Sequence, residues 1–241
     1  MAFQQREMTQ LEFTKPECSL RSGVLNFTLS RFGGQPRRFM PYSAPLDGIR
    51  AIAILAVLIF HIAPSALTGG FAMAGMFAYI AGSPFVFIEL HGIAPQDYGW
   101  FFGANALGFV IVAQMNARLV RRFEMGRIMR AANLVQTIFG LALAALALTG
   151  AGGFWALAGA LFGYIACIGL ILPNASALAM APHGERAGSA AALLGTLQFA
   201  LAAVAAMSVG AIHDASALPM AGIIAICGAL GALASRLAKK S

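Results

Sequence analysis

Few side chains in this sequence combine type and spacing in a way that suits chemistry. Arg50 and His61 are eleven residues apart, three turns of an α-helix, which puts them on nearly one face about 16 Å apart along its axis. An imidazole titrates near neutrality and suits a general base. Glu89, two residues before His91, is the one carboxylate at the edge of an apolar run. An acid at membrane depth is a proton-coupling candidate, although a helix end lies within snorkelling reach of water. Neutral polar residues are scattered through the apolar runs: Ser83, Asn105, Gln114, Asn133, Gln136, Asn174, Ser189, Thr196, Gln198 and Ser208. Most are expected to hydrogen-bond between helices. Phe77, Tyr79, Ser83, Asn105 and Gln198 form the candidate substrate-binding set, since aromatic rings with a few polar groups suit flat amphipathic molecules. Cys18, Cys167 and Cys227 have no metal-like spacing and read as small buried residues, so neither a metal nor another cofactor is expected.

The surroundings of these residues set their context. Of 241 residues, 59% are apolar and 10% charged, with a mean hydropathy of +0.78, against about 25% charged in soluble domains. The polar material concentrates in residues 1–47, and the stretch from Ile49 to Ser235 is long enough for six or seven helices of about 20 residues. This excludes a soluble enzyme, a nucleic-acid reader and a disulfide scaffold. Unbroken runs rich in Ala, Leu and Gly exclude an outer-membrane barrel, whose strands alternate. The expected fold class is therefore an all-α membrane protein whose principal partner is the lipid bilayer.

Residues 1–44 carry Arg6, Lys15, Arg21, Arg31, Arg37 and Arg38 among polar residues, with Pro16, Gly33, Gly34 and Pro36 interrupting any helix. They read as a basic, disordered cytoplasmic tail without a cleavable signal. Seven apolar segments follow: 51–63, ending at Pro64; 67–90, with a kink expected at Gly82-Ser83-Pro84; 100–119; 131–149; 154–172; 188–212; and 218–236.

Loop charge sets the orientation. Arg118, Arg121, Arg122, Arg127 and Arg130 separate the third and fourth segments, Arg186 the fifth and sixth, and Arg236, Lys239 and Lys240 follow the last; the other three loops between the second and seventh segments carry no Lys or Arg. The last six segments thus form a self-consistent unit with both ends in the cytoplasm. The first breaks the pattern, because a cytoplasmic tail followed by seven full spans puts the five-arginine loop outside. Either the first segment is re-entrant or interfacial, or the tail is outside, or the chain joins two unrelated pieces.

Two sets of motifs favour the third solution. The run Phe71-Ala-Met-Ala-Gly-Met-Phe-Ala-Tyr-Ile-Ala-Gly-Ser-Pro-Phe-Val-Phe-Ile-Glu89, then Tyr98-Gly-Trp-Phe-Phe-Gly-Ala-Asn-Ala-Leu107, Leu172-Pro-Asn-Ala-Ser-Ala-Leu178 and Ala187-Gly-Ser-Ala-Ala-Ala-Leu-Leu-Gly195 closely resembles the C-terminal half of Bcr/CflA drug-efflux transporters of the major facilitator superfamily. The resemblance covers residues 67–241. It implies a six-helix half of a twelve-helix bundle in the bacterial inner membrane, exporting amphipathic small molecules in exchange for protons around a midplane site between two halves. Asn116, Arg118, Arg121 and Arg122 fall where that family carries a cytoplasmic loop motif clamping helix ends, with Asn116 at the acid position and the usual glycine displaced to Gly126. Glu89 becomes the proton-coupling candidate. No acid lies near the middle of any later span, so proton chemistry is expected in the other half, and activity requires a homodimer or a complementing N-terminal half.

Residues 45–71, with Asp47-Gly48-Ile49-Arg50 and the Arg50 to His61 spacing, resemble the first helix of family-three membrane acyltransferases, which O-acylate cell-surface glycans. That resemblance implies that Arg50 and His61 engage an acyl donor and activate a hydroxyl. No later segment resembles that family's donor channel or acceptor pocket. The expected arrangement is a tail (1–44), an acyltransferase-like first helix (45–66) and a facilitator half (67–241). A transporter unit is the leading expectation, with an acyltransferase or a non-functional fusion remnant as rivals. Gly159-x-x-x-Gly163 and Gly99-x-x-x-Gly103 are expected to permit close helix contact within the bundle.

Overall fold

The structure, a computed structural model, describes residues 44–212 and 216–238, and side chains from Pro64 onward except those of 185 and 186. The chain divides into two units at Ala44 and Pro45. The tail expected over residues 1–44 lies, except for Ala44, outside the described residues, as do the side chains of Arg50 and His61.

Every regular element among the described residues is helical: α1 (Ala44–Pro84), a π-helical turn (Phe85–Leu90), α2 (Pro95–Leu119), α3 (Met125–Thr149), α4 (Gly153–Met180), a 3-10 turn (Ala181–Arg186), α5 (Ala187–Ala211) and α6 (Leu218–Leu237). Among the described residues six stretches are long and apolar enough to cross a membrane, the first being Pro64–Leu90. The chain is a multi-pass membrane protein.

Helix α2 begins at Pro95 rather than Trp100 and α3 at Met125 rather than Ala131, and two further boundaries differ at prolines inside helices. The first apolar segment does not end at Pro64; α1 runs through it for 41 residues, about 60 Å and twice the hydrocarbon thickness. Among the described residues no separate short helix precedes the first span. The segment expected to stop at Leu172 continues through Pro173 to Met180. Proline removes one helical hydrogen bond, but in an apolar setting the remaining backbone groups have no better partner than their own helix. At Gly82-Ser83-Pro84, where a kink is expected, α1 passes directly into the π-helical turn.

Lipid is as apolar as leucine, so close packing rather than hydrophobicity must hold such helices together. Small residues provide it. A methyl group at Gly169 of α4 would stand 2.5 Å from the Phe109 carbonyl oxygen of α2, and one at Gly140 of α3 would stand 3.2 Å from Ala225 Cα of α6. Tyr164, wholly buried on α4, lies over Gly75 of α1, beside Gly140 and Gly228. The glycines of α1 also admit α5, through Gly70 and Leu201, and α6, through Gly82 and Met220. Helix α1 is therefore the one around which α4, α5 and α6 gather, whereas α2 and α5 leave most of their surfaces uncovered.

Candidate functional site

Tyr79 and Ser83 lie one turn apart on α1 and share a face. Helix α2, started by Pro95 at a position where its missing N–H costs nothing, places Tyr98, Phe102 and Asn105 at spacings of four and three on the face opposite. The Asn105 amide donates to the Tyr79 hydroxyl at 2.9 Å, and the Ser83 and Tyr98 hydroxyls hydrogen-bond at 2.8 Å. The Tyr79 ring stacks on Phe102 at 5.9 Å with 14° between planes. Tyr79, Ser83 and Asn105 are buried and Phe102 is exposed. The cluster thus runs from a satisfied polar centre to an aromatic edge on the uncovered side of α2.

The other two binding candidates lie elsewhere. Phe77 is two residues before Tyr79, which turns it about 200° around α1. It meets Phe199 of α5 edge-on at 6.1 Å. Gln198 is buried on α5 beside Gly69, and its amide nitrogen has no hydrogen-bond partner among the described residues. The five candidates therefore form an α1–α2 group of three and an α1–α5 group of two. Tyr98 and Phe102 belong to the first group without having been chosen; their spacing to Asn105 is the signal that marks them.

Interhelical bonding accounts for several other polar groups. Asn174 of α4 donates to the Asn116 side-chain oxygen of α2 at 2.7 Å, and Thr137 of α3 donates to the Gly228 carbonyl of α6 at 2.9 Å. Thr196 and Ser208 instead return to carbonyls of their own helix. Asn116 is thus buried against α4, away from Arg118, Arg121 and Arg122, which are exposed around the turn after α2. Beside them Arg127 pairs with Glu124 at 3.3 Å in the open. Glu89 is exposed in the π-helical turn, and the His91 Nδ1–H donates to the Val86 carbonyl at 2.7 Å. Gly163 packs under Phe139, but nothing lies within 4 Å of a methyl placed at Gly99, Gly103 or Gly159. The Gly99–Gly103 pair thus makes no close contact among the described residues, contrary to expectation.

No family model matches the chain. It is 34% identical over 169 residues to the uncharacterised MFS-type transporter YdgK of Bacillus subtilis, a match covering 70% of this chain and 42% of that protein. It is 27% identical over 164 residues to a bicyclomycin resistance protein homologue of Haemophilus influenzae, covering 68% of this chain and 41% of the relative. The chain spans about two fifths of the length of these curated relatives.

Proposed function

We propose that residues 64–238 form one six-helix unit of a drug-exporting transporter of the Bcr/CflA type, working by proton antiport in the bacterial inner membrane. The observation that carries this reading is the similarity to an MFS-type transporter and a bicyclomycin resistance homologue, joined to six helices of spanning length. Such transporters pair two six-helix bundles about an axis along the membrane normal, with substrate at the bundle interface near the midplane.

One unit supplies one wall of that interface. The uncovered helices α2 and α5 suit it, because Gly99 and Gly103 on α2 and Gly188 and Gly195 on α5 leave room for another backbone. A second copy related by a twofold axis sets α2 of one unit against α5 of the other, an isologous arrangement. Phe102 and the Tyr79–Asn105 pair then border the cavity and present rings and an amide to a flat amphipathic cation or neutral drug. The acids of this unit, Glu89, Asp97, Glu124, Glu185 and Asp214, all lie outside the centres of its spans. The proton carrier is then Glu89, at a membrane face, or, where the opposing unit is a complementing N-terminal half, an acid of that half. The basic turn between α2 and α3 and the C-terminus face the cytoplasm, as the excess of arginine requires.

The test is ethidium accumulation in cells lacking their main exporters, with differently tagged copies isolated together to establish pairing. Lower accumulation than in empty-vector cells, restored by an uncoupler and by Asn105→Leu at equal membrane abundance, supports the reading. Accumulation equal to the vector control, with the paired chain present in the membrane, refutes it.

A further inference from the structure

A groove of about 370 Å³ runs between the end of α2, the first half of α3 and the middle of α4. Its lining is apolar, with Phe123, Ile128, Val135, Cys167 and Leu170 along it, and Arg127 stands at one end. From Arg127 to Val135 the groove follows α3 for about 12 Å, most of the hydrocarbon depth of one leaflet, which is about 15 Å. The charged end belongs to the most basic stretch of the described chain, where residues 118–130 hold five arginines and a single acid, Glu124. That acid is engaged with Arg127 at 3.3 Å, and both side chains are largely exposed.

We propose that this groove is a binding site for an anionic glycerophospholipid, one acyl chain lying along α3 between α2 and α4 and the phosphate meeting Arg127 and its neighbouring arginines. The two halves of the site select this class together. A zwitterionic lipid fills the groove but returns a positive charge to the arginine cluster. A soluble phosphate meets the arginines but leaves the apolar channel without an occupant. Only a lipid of net negative charge satisfies both, and basic pockets between helices at a membrane face favour such headgroups. Glu124 competes with the phosphate for Arg127, so the carboxylate weakens the site. The proposal rests on the helices crossing a bilayer and is independent of whether the unit transports anything.

The test uses the purified full chain in detergent, with retained lipid counted by intact-complex mass spectrometry and the unfolding midpoint followed by heating. Phosphatidylglycerol is the probe, phosphatidylcholine and inorganic phosphate the controls. Phosphatidylglycerol alone should be retained and raise the midpoint. Arg127→Gln should weaken its retention about fivefold, the effect of one arginine near a charged surface. Ala131→Phe, placed in the groove from an exposed position on α3, should abolish the midpoint shift, and Glu124→Gln should increase retention. Equal stabilisation by phosphatidylcholine, an equal shift with inorganic phosphate, or retention unchanged in both Arg127→Gln and Ala131→Phe would overturn the proposal. Arg127 and Ala131 are both exposed, so neither change threatens the fold.

Discussion

The Asn174 side chain of α4 donates at 2.7 Å to the side-chain oxygen of Asn116 of α2 and, with the same nitrogen, to the Leu170 carbonyl one turn back. This pair fastens two helices that also touch through backbone and small side chains near Gly169 and through the Phe101 ring against Phe154 and Trp155. Interhelical polar contacts in membranes average about 0.6 kcal/mol. A double-mutant cycle with Asn116→Ala and Asn174→Ala, read from unfolding in detergent, should give a coupling of that order. A coupling of zero would mean that the helices are held by these other contacts alone.

Tyr164 and Gly75 give predictions of opposite sign. The Tyr164 hydroxyl is buried without a hydrogen-bond partner among the described residues, and the ring Cζ is 2.9 Å from where a methyl at Gly75 would stand. Gly75→Ala should therefore destabilise the bundle by roughly 1–3 kcal/mol through overpacking. Tyr164→Phe removes a polar atom that contributes no bond and should be neutral or slightly stabilising. Adding Tyr164→Phe to Gly75→Ala should recover part of the loss, which thermal unfolding of the three variants will show.

How much of this was legible in the sequence depends on the scale of the signal. Span composition is a sum over some twenty residues, so α2 to α6 fall within a few residues of the apolar segments at most of their ends, and the helix departs from α geometry right after Gly82-Ser83-Pro84. Pro64 and Pro173 misled because proline's cost is local, while the demand for backbone hydrogen bonds extends over the whole span. The site was legible in part. Tyr79 and Ser83 share a face by spacing alone, but which face of α1 meets α2 and which meets α5 depends on tertiary packing around glycines. Hence Phe77 and Gln198 separate from Tyr79, Ser83 and Asn105. Asn116 looked like a loop residue from its position beside arginines, and it is instead buried through a partner 58 residues away.

The orientation proposed from the arginines is open to direct measurement. With the α2–α3 turn in the cytoplasm, reporter fusions after Gly126 and after residue 240 should both give cytoplasmic signals, and one after Gly150 a periplasmic signal. Replacing Arg118, Arg121 and Arg122 together by Gln should reduce the cytoplasmic signal at Gly126, because those three contribute most of the loop's positive charge. A periplasmic signal at Gly126 in the unaltered chain contradicts the orientation.

The open glycines of α2 and α5 separate pairing from folding. A methyl group at Gly103 meets nothing within 4 Å, and the same is true at Gly195. Gly103→Leu and Gly195→Leu should therefore leave the unfolding midpoint of an isolated unit unchanged or raise it, since replacing a mid-helix glycine by leucine is worth about 0.8 kcal/mol of helix propensity. If these surfaces receive a second six-helix unit, the same leucines prevent close approach of the backbones. Co-isolation of differently tagged copies should then fall, and any ethidium export should fall with it while membrane abundance holds. Unchanged co-isolation in both variants would place the pairing surface elsewhere, on the lipid-facing sides of α3 or α6.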